Sequence, residues 1–135
     1  MNPIDKFTIQ KHEGKYEDWP LKSSLYYDGE DIKLKVPGFV IEKQFELSNY
    51  FLLLLNWNCP FEEGCEIIVL NKSYKVVGSH SFKPFYNSYL LSSIKELSQN
   101  HYELVFNDSD CFALTITYPK QCLFSKVVAV SKSAV

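Results

Sequence analysis

The sequence predicts a mainly β protein, an antiparallel β-sandwich or curved sheet with at most one short helix. Eight or nine short apolar runs recur about every ten residues, and no alternation of strands with helices is visible. The longest unbroken apolar run, Tyr50–Leu55, has six residues, which is typical of a strand covered on both faces and too short to cross a bilayer. At 135 residues, the chain is expected to form a single domain, residues 1–135.

The first part of the chain predicts four strands separated by turn residues. Apolar and polar residues alternate in these runs, and the turns Asp28-Gly29 and Pro37-Gly38 lie between them. A change of phase near Lys43 predicts a β-bulge in the fourth strand. The four predicted strands are Phe7–Ile9, Leu21–Tyr27, Ile32–Val36 and Phe39–Leu47.

The second part predicts two core strands, Tyr50–Leu55 and Glu66–Leu70, joined by an acidic loop with Pro60 and Gly64. The turn at Asn71-Lys72-Ser73 predicts a hairpin to a strand at Tyr74–Val77. Lys83-Pro84-Phe85 is expected to break the strand, because proline has no backbone N–H to donate. The clearest hairpin joins Tyr102–Phe106 to Phe112–Tyr118 around Asn107–Asp110, and Val127–Val130 adds a last strand.

One segment, Asn87–Gln99, can be interpreted in two ways. Leu90, Leu91, Ile94 and Leu97 fall on one face of a helix, which predicts a short helix. Four serines, at positions 88, 92, 93 and 98, lower the helix propensity, so an irregular strand is the alternative.

Charge and composition exclude some function classes. The basic residues are fourteen lysines without a single arginine, and the net charge is −2, so sequence-specific nucleic-acid binding is not expected. No signal-peptide pattern or membrane span is visible, which predicts a cytoplasmic protein without a membrane partner. The four cysteines, Cys59, Cys65, Cys111 and Cys122, are therefore expected to be thiols.

The sequence contains no convincing catalytic, cofactor or metal motif. Cys59 and Cys65 are too far apart for a zinc ribbon, and the five glycines are isolated, so no metal and no cofactor are expected. A cysteine with His80 or His101, or the carboxylates of the acidic loop, could in principle support catalysis. Small apolar roles for the cysteines and solvated carboxylates in the loop are the favoured interpretation, so the chain is expected not to be an enzyme.

Acidic loops and aromatic residues near strand ends predict a surface for a basic protein partner instead. The acidic stretches are Glu13–Asp18, the loop with Glu62, Glu63 and Glu66, and the hairpin tip with Asp108 and Asp110. The aromatic residues in or near loops are Tyr16, Trp19, Tyr26, Tyr27, Trp57, Phe61, Phe85 and Tyr86. The predicted partner-binding residues are Trp57, Phe61, Glu62, Glu63, Glu66, Asp108 and Asp110.

The stretch Tyr50–Ile67, followed by a short hairpin and the strand Tyr-Glu-Leu-Val-Phe at 102–106, resembles small β-rich immunity proteins. These belong to bacterial contact-dependent inhibition and related polymorphic toxin systems. The resemblance implies a cytoplasmic, non-enzymatic inhibitor, monomeric when free, that blocks a toxin domain, often a basic nuclease. The alternative is a structural β-domain that self-associates or holds a small apolar ligand between its sheets.

Overall fold

The computed structural model describes residues 1–59, 62–84, 88–120 and 126–133. This part of the chain forms twelve β-strands and one 3-10 turn at Tyr16–Asp18. The strands are β1 Asn2–Pro3, β2 Phe7–Ile9, β3 Lys22–Tyr27, β4 Glu30–Pro37, β5 Val40–Glu46, β6 Tyr50–Asn56, β7 Cys65–Asn71, β8 Val76–Phe82, β9 Leu91–Ser98, β10 His101–Phe106, β11 Asp110–Ile116 and β12 Val128–Lys132.

The strands form three antiparallel sheets, which confirms the predicted fold class. The five-stranded sheet has the order β1-β5-β6-β7-β8, the four-stranded sheet has the order β12-β11-β10-β9, and the three-stranded sheet has the order β2-β3-β4. Most neighbours in a sheet are also neighbours in sequence, as expected for hairpin connections.

The five-stranded sheet is the central one of three layers. On one face, Tyr50, Leu52 and Leu54 of β6 pack in a cluster with residues of β10 and β11. On the other face, Phe51 and the alternate leucines of β6 pack in a second cluster with residues of β2, β3 and β4. Every residue of Tyr50–Leu55 is at most 3% exposed, so the prediction of a strand covered on both faces is confirmed.

The predicted bulge in the fourth strand is also confirmed. The register of β5 against β6 shifts between Ile41 and Lys43, which leaves Glu42 as the extra residue.

The break after β8 is confirmed, but β8 starts two residues later than predicted and continues through Gly78 to Phe82. A Cβ atom at Gly78 would lie 2.7 Å from Val127 Cγ1 and 2.9 Å from Val128 Cγ2. Gly78 therefore allows the central sheet to approach β12 closely.

The predicted helix in Asn87–Gln99 is wrong, and the alternative interpretation as an irregular strand is right. Leu91–Ser98 forms β9, which pairs with β10 and has two register shifts along its length. Leu91 and Ile94 pack against the same core cluster although they are three positions apart. In a regular strand they would point to opposite faces, and the bulge between them returns both to the core.

The last hairpin and the last strand are confirmed with shifted bounds, since β11 starts and ends two residues earlier than predicted and β12 continues to Lys132. β10 and β11 form the hairpin around Asn107, and β12 pairs with β11 from Phe112↔Lys132 to Ile116↔Val128. Within the described ranges, no helix is long and apolar enough to cross a membrane.

Candidate functional site

Several loops meet at one end of the three layers, which we call the loop end. It contains the β2–β3 connection, the β4–β5 turn, the β6–β7 loop and the β10–β11 turn. The Tyr16 hydroxyl of the first connection donates a hydrogen bond to the Trp57 carbonyl of the β6–β7 loop. Phe39 of the β4–β5 turn donates its backbone N–H to the Asn56 carbonyl at 2.8 Å.

Five rings form an aromatic cluster at the loop end: His12, Tyr16, Trp19, Phe39 and Trp57. The Phe39 ring is central, and its centroid lies between 5.0 and 5.5 Å from the other four, in edge-to-face geometry. Phe39 is buried, whereas Tyr16 is 40% exposed. Edge-to-face pairs add to the energy of burial, so the cluster fixes the β2–β3 connection against the β6–β7 loop.

The polar atoms beneath the aromatic cluster are used in structural hydrogen bonds. The buried Ser23 hydroxyl donates to the Gly38 carbonyl at 2.8 Å, and His12 Nε2 lies 2.7 Å from Ser23 Oγ. Because the hydroxyl proton is already engaged, His12 Nε2 is the donor in this second bond. Ser23 is fully buried, so the pair supports the loop rather than offering a nucleophile to a substrate.

Glu63 is a buried carboxylate at the centre of the β6–β7 loop. Its Oε1 accepts the backbone N–H groups of Trp57 at 2.6 Å and Gly64 at 3.1 Å, and its Oε2 accepts that of Cys59 at 2.9 Å. Without this side chain, the three backbone N–H groups would have no hydrogen-bond acceptor inside the folded loop. Glu63 therefore holds the loop from within, and its carboxylate is buried instead of being exposed as predicted.

Glu66 is buried as well, at the start of β7. Its Oε1 accepts hydrogen bonds from Trp57 Nε1 at 3.2 Å and Ser81 Oγ at 2.7 Å. Burial raises the pKa of Glu66 above its ordinary value, and these two hydrogen bonds oppose the rise. The expectation that Glu62, Glu63 and Glu66 form one solvated acidic loop is thus wrong for two of the three, and Glu62 alone is exposed.

Trp57 connects the two buried carboxylates to the aromatic cluster, and it is half-buried rather than freely exposed. Gly64, one residue after Glu63, allows the loop to pass close to β8, since a Cβ there would lie 2.8 Å from the Phe82 carbonyl oxygen. The predicted contact Phe61 lies outside the described residues, as do Phe85 and Tyr86. Tyr27 packs in the second core cluster, and Tyr26 lies beside it in β3.

The acidic hairpin tip lies at the same end of the molecule. Residues 88–90 connect it to the β6–β7 loop: Tyr89 donates its backbone N–H to the Glu63 carbonyl, and Asn107 Nδ2 donates to the Ser88 carbonyl. Asp108 is exposed, and Asp110 is half-buried with Oδ2 3.3 Å from Asn107 Nδ2. The three acidic stretches recognised in the sequence therefore form one continuous end of the fold.

The other titratable groups considered for catalysis contact residues of the fold itself. His101 Nδ1 bonds to Thr115 Oγ1 at 3.2 Å, and the His80 ring packs against Phe82 with a centroid distance of 4.8 Å. Burial raises the pKa of the Cys65 thiol, which disfavours the reactive thiolate. Among the described residues, no three His, Cys, Asp or Glu side chains are grouped to hold a metal ion.

Three of the four cysteines can be placed in the structure. Cys59, Cys65 and Cys111 are free thiols, and Cys122 lies outside the described residues.

The raised pKa of Glu66 leads to a pH-dependent prediction. The folded state binds the Glu66 proton more tightly than the unfolded state, so the cost of the buried charge is present above the folded pKa and is relieved as pH falls through it. Glu66→Gln keeps an acceptor for Trp57 and Ser81 without the charge. We expect urea unfolding to show that this variant gains stability over the wild type at pH 7 and loses that advantage near pH 4.

The exposed Glu62→Gln is the matched control and should behave like the wild type at both values of pH. A Glu66→Gln variant whose difference from the wild type is the same at both values of pH would contradict the assignment.

The chain matches no known protein family model, no curated protein and no solved structure.

Proposed function

We propose that this chain is a cytoplasmic, non-enzymatic protein-binding module, and most concretely an immunity protein that neutralises a basic toxin domain such as a nuclease. The observation that carries this proposal is the loop end, where exposed carboxylates surround an ordered aromatic cluster. In the proposal the free protein is a monomer, and it uses no cofactor, nucleic acid or membrane.

The arrangement of the loop end supports binding by a preformed surface. Phe39 and Glu63 fix the loops from below, so little conformational entropy is lost when a partner docks on them. Partly exposed Tyr16 and Trp19 offer aromatic area of the kind enriched in binding hot spots.

Charge supports a basic partner. Glu13, Glu17, Asp18, Glu62 and Asp108 are all exposed at the loop end. Carboxylates around the edge of an interface mainly increase the association rate through attraction at a distance, whereas buried anchors slow dissociation. Lys11, Lys15, Lys22 and Lys83 are exposed in the same region, so the attraction comes from local groups of carboxylates and not from the loop end as a whole.

Co-expression tests the proposal directly. We expect the chain to rescue growth of cells that express the toxin domain encoded beside its gene, and the purified proteins to form a complex. A neighbouring gene that encodes no toxin, together with an absence of rescue, would contradict the proposal.

Association kinetics test which part of the loop end meets the partner. Glu62→Lys should slow association with the toxin domain about fivefold at low salt, and the difference should shrink at high salt. The control Glu30→Lys makes the same charge change at an exposed position at the opposite end of β4.

The hairpin tip is tested by Asp108→Asn, because asparagine tolerates the positive φ of 62° at this position. A slowed association for Asp108→Asn with an unchanged rate for Glu62→Lys would assign the contact to the tip instead of the β6–β7 loop.

A further inference from the structure

Part of one edge of the central sheet is unpaired. The short strand β1 pairs with β5 at Phe45 and Glu46, and the backbone N–H of Ile4 reaches the Gln44 carbonyl at 3.1 Å. The chain then leaves to form β2 in another sheet. Among the described residues, no strand pairs with this side of Val40–Lys43. Its backbone groups on this side are a template for a further strand.

A groove lies beside this edge on each face of the central sheet. The groove on the side of the three-stranded sheet has a volume of about 450 Å³, and its walls include Thr8, Trp19 and Phe39. The groove on the side of the four-stranded sheet has a volume of about 490 Å³, and its walls include Ser93 and Ile94. Ile41 and Gln44 line both grooves, so the two grooves share the same edge.

We propose that the open edge of β5 accepts a short extended segment of a protein partner, which adds a strand to the central sheet. Successive side chains of a strand point to opposite faces, so the added segment would place alternate side chains in the two grooves. The first groove has aromatic walls and takes an apolar side chain. The second is lined by Ser92, Ser93 and the charged residues of β5 together with Ile4 and Ile94, and takes a polar side chain with an aliphatic stem.

The site is preformed by Gln44. Its Oε1 accepts the Phe7 backbone N–H at 2.8 Å, and its Nε2 donates to the Phe7 carbonyl at 3.0 Å. These two bonds fix β2 beside β5 and keep the wall of the first groove in place, so binding does not have to order it.

Two features identify the occupant as a partner segment. His12, Trp19 and Phe39 belong both to the first groove and to the aromatic cluster, so the groove continues the surface proposed above for partner binding. A second copy of the chain fits this edge poorly. If the edge paired with its equivalent about a two-fold axis, Glu42 or Lys43 would lie opposite the same residue of the other copy, or Val40 would lie opposite Glu42. The unpaired edge comprises only Val40–Lys43, so the added segment pairs over about three or four residues.

This inference rests on the proposed function for the identity of the partner, but a probe that does not depend on the toxin tests it. Random dodecapeptides displayed on phage are selected against the full chain, and the affinities of the selected peptides are measured by fluorescence polarisation. Thr8→Trp and Ser93→Trp each fill one groove from an exposed position without a change of charge, and Ser79→Trp makes a similar change on the exposed face of β8.

We expect peptides with alternating apolar and polar residues that bind the wild type, lose about tenfold in affinity with either groove variant and keep their affinity with Ser79→Trp. Peptide binding should also slow hydrogen exchange at amides within Val40–Lys43. Failure to select any peptide, or peptides unaffected by one of the groove variants, would overturn strand addition. A wild-type dimer in light scattering that Thr8→Trp converts to a monomer would show that a second copy occupies the edge, and would overturn it too.

The two proposals fail separately. If no peptide is selected and the toxin domain binds equally well to the wild type and both groove variants, strand addition is wrong and the immunity function stands. If no toxin is found but the peptides behave as expected, the edge is a binding site for another kind of partner.

Discussion

Glu63→Ala is expected to lower the free energy of unfolding by about 4 kcal/mol. The change removes the acceptor of three backbone N–H groups, at 2.6, 3.1 and 2.9 Å, in a buried loop. Hydrogen bonds to a charged group contribute about 1.5–3 kcal/mol each, and the losses are less than additive because water can enter the relaxed loop. Urea unfolding at pH 7 measures the effect.

Two neighbouring variants make the test specific. Glu63→Gln retains the oxygen that accepts from Trp57 and Gly64 but presents an NH₂ group to the Cys59 N–H, so its loss should be intermediate, about 2 kcal/mol. Glu62→Ala removes an exposed carboxylate one residue away and should change stability by less than about 0.5 kcal/mol. If Glu63→Ala and Glu62→Ala unfold alike, Glu63 does not hold the loop.

The sequence predicts the centre of the fold because burial on both faces leaves a direct signal. A strand with one solvent-exposed face must alternate, and Tyr50–Leu55 does not, so its burial on both faces follows from the sequence. The bulge near Lys43 is visible for a related reason, since the apolar phase of Phe39–Leu47 changes there. The third layer was not predicted, because strands such as β2 and β3 have the ordinary pattern of any half-buried strand.

β9 shows how an irregular strand can imitate a helix. Leu91 and Ile94 are separated by three positions, as on a helix face, because a bulge inserts one residue between two inward positions. Bulges leave no fixed sequence pattern, so the spacing alone could not distinguish the two structures.

The sequence predicted where the candidate site lies but not what each of its residues does. The sequence indicated acidic loops and aromatic residues, and the structure brings these loops to one end. Adjacent glutamates look alike in a sequence, however, and the inward turn of Glu63 depends on backbone donors that exist only in the folded loop. Phe39 was not predicted because an aromatic residue after a turn is equally typical of core packing, and His12 was not predicted because it lies in a polar stretch without a pattern.

Leu52→Ala and Leu53→Ala are each expected to lower the free energy of unfolding by about 3 kcal/mol. The two residues are adjacent in β6, and both are fully buried. Leu52 packs in the cluster between the central and four-stranded sheets, and Leu53 packs in the cluster between the central and three-stranded sheets. A cavity in either cluster loses the transfer free energy of the removed atoms and the packing contacts around them, so both changes should be strongly destabilising.

The pair distinguishes three layers from two, because adjacent residues of a strand point to opposite faces. In a two-layer sandwich one of the two leucines would face water, and its truncation would cost less than about 0.5 kcal/mol. Leu21→Ala provides the control for an exposed leucine, since Leu21 is 76% exposed, and it should leave the unfolding midpoint unchanged. Urea unfolding of the three variants measures the difference, and a small loss for either Leu52→Ala or Leu53→Ala would show that the corresponding outer sheet does not cover the central one in solution.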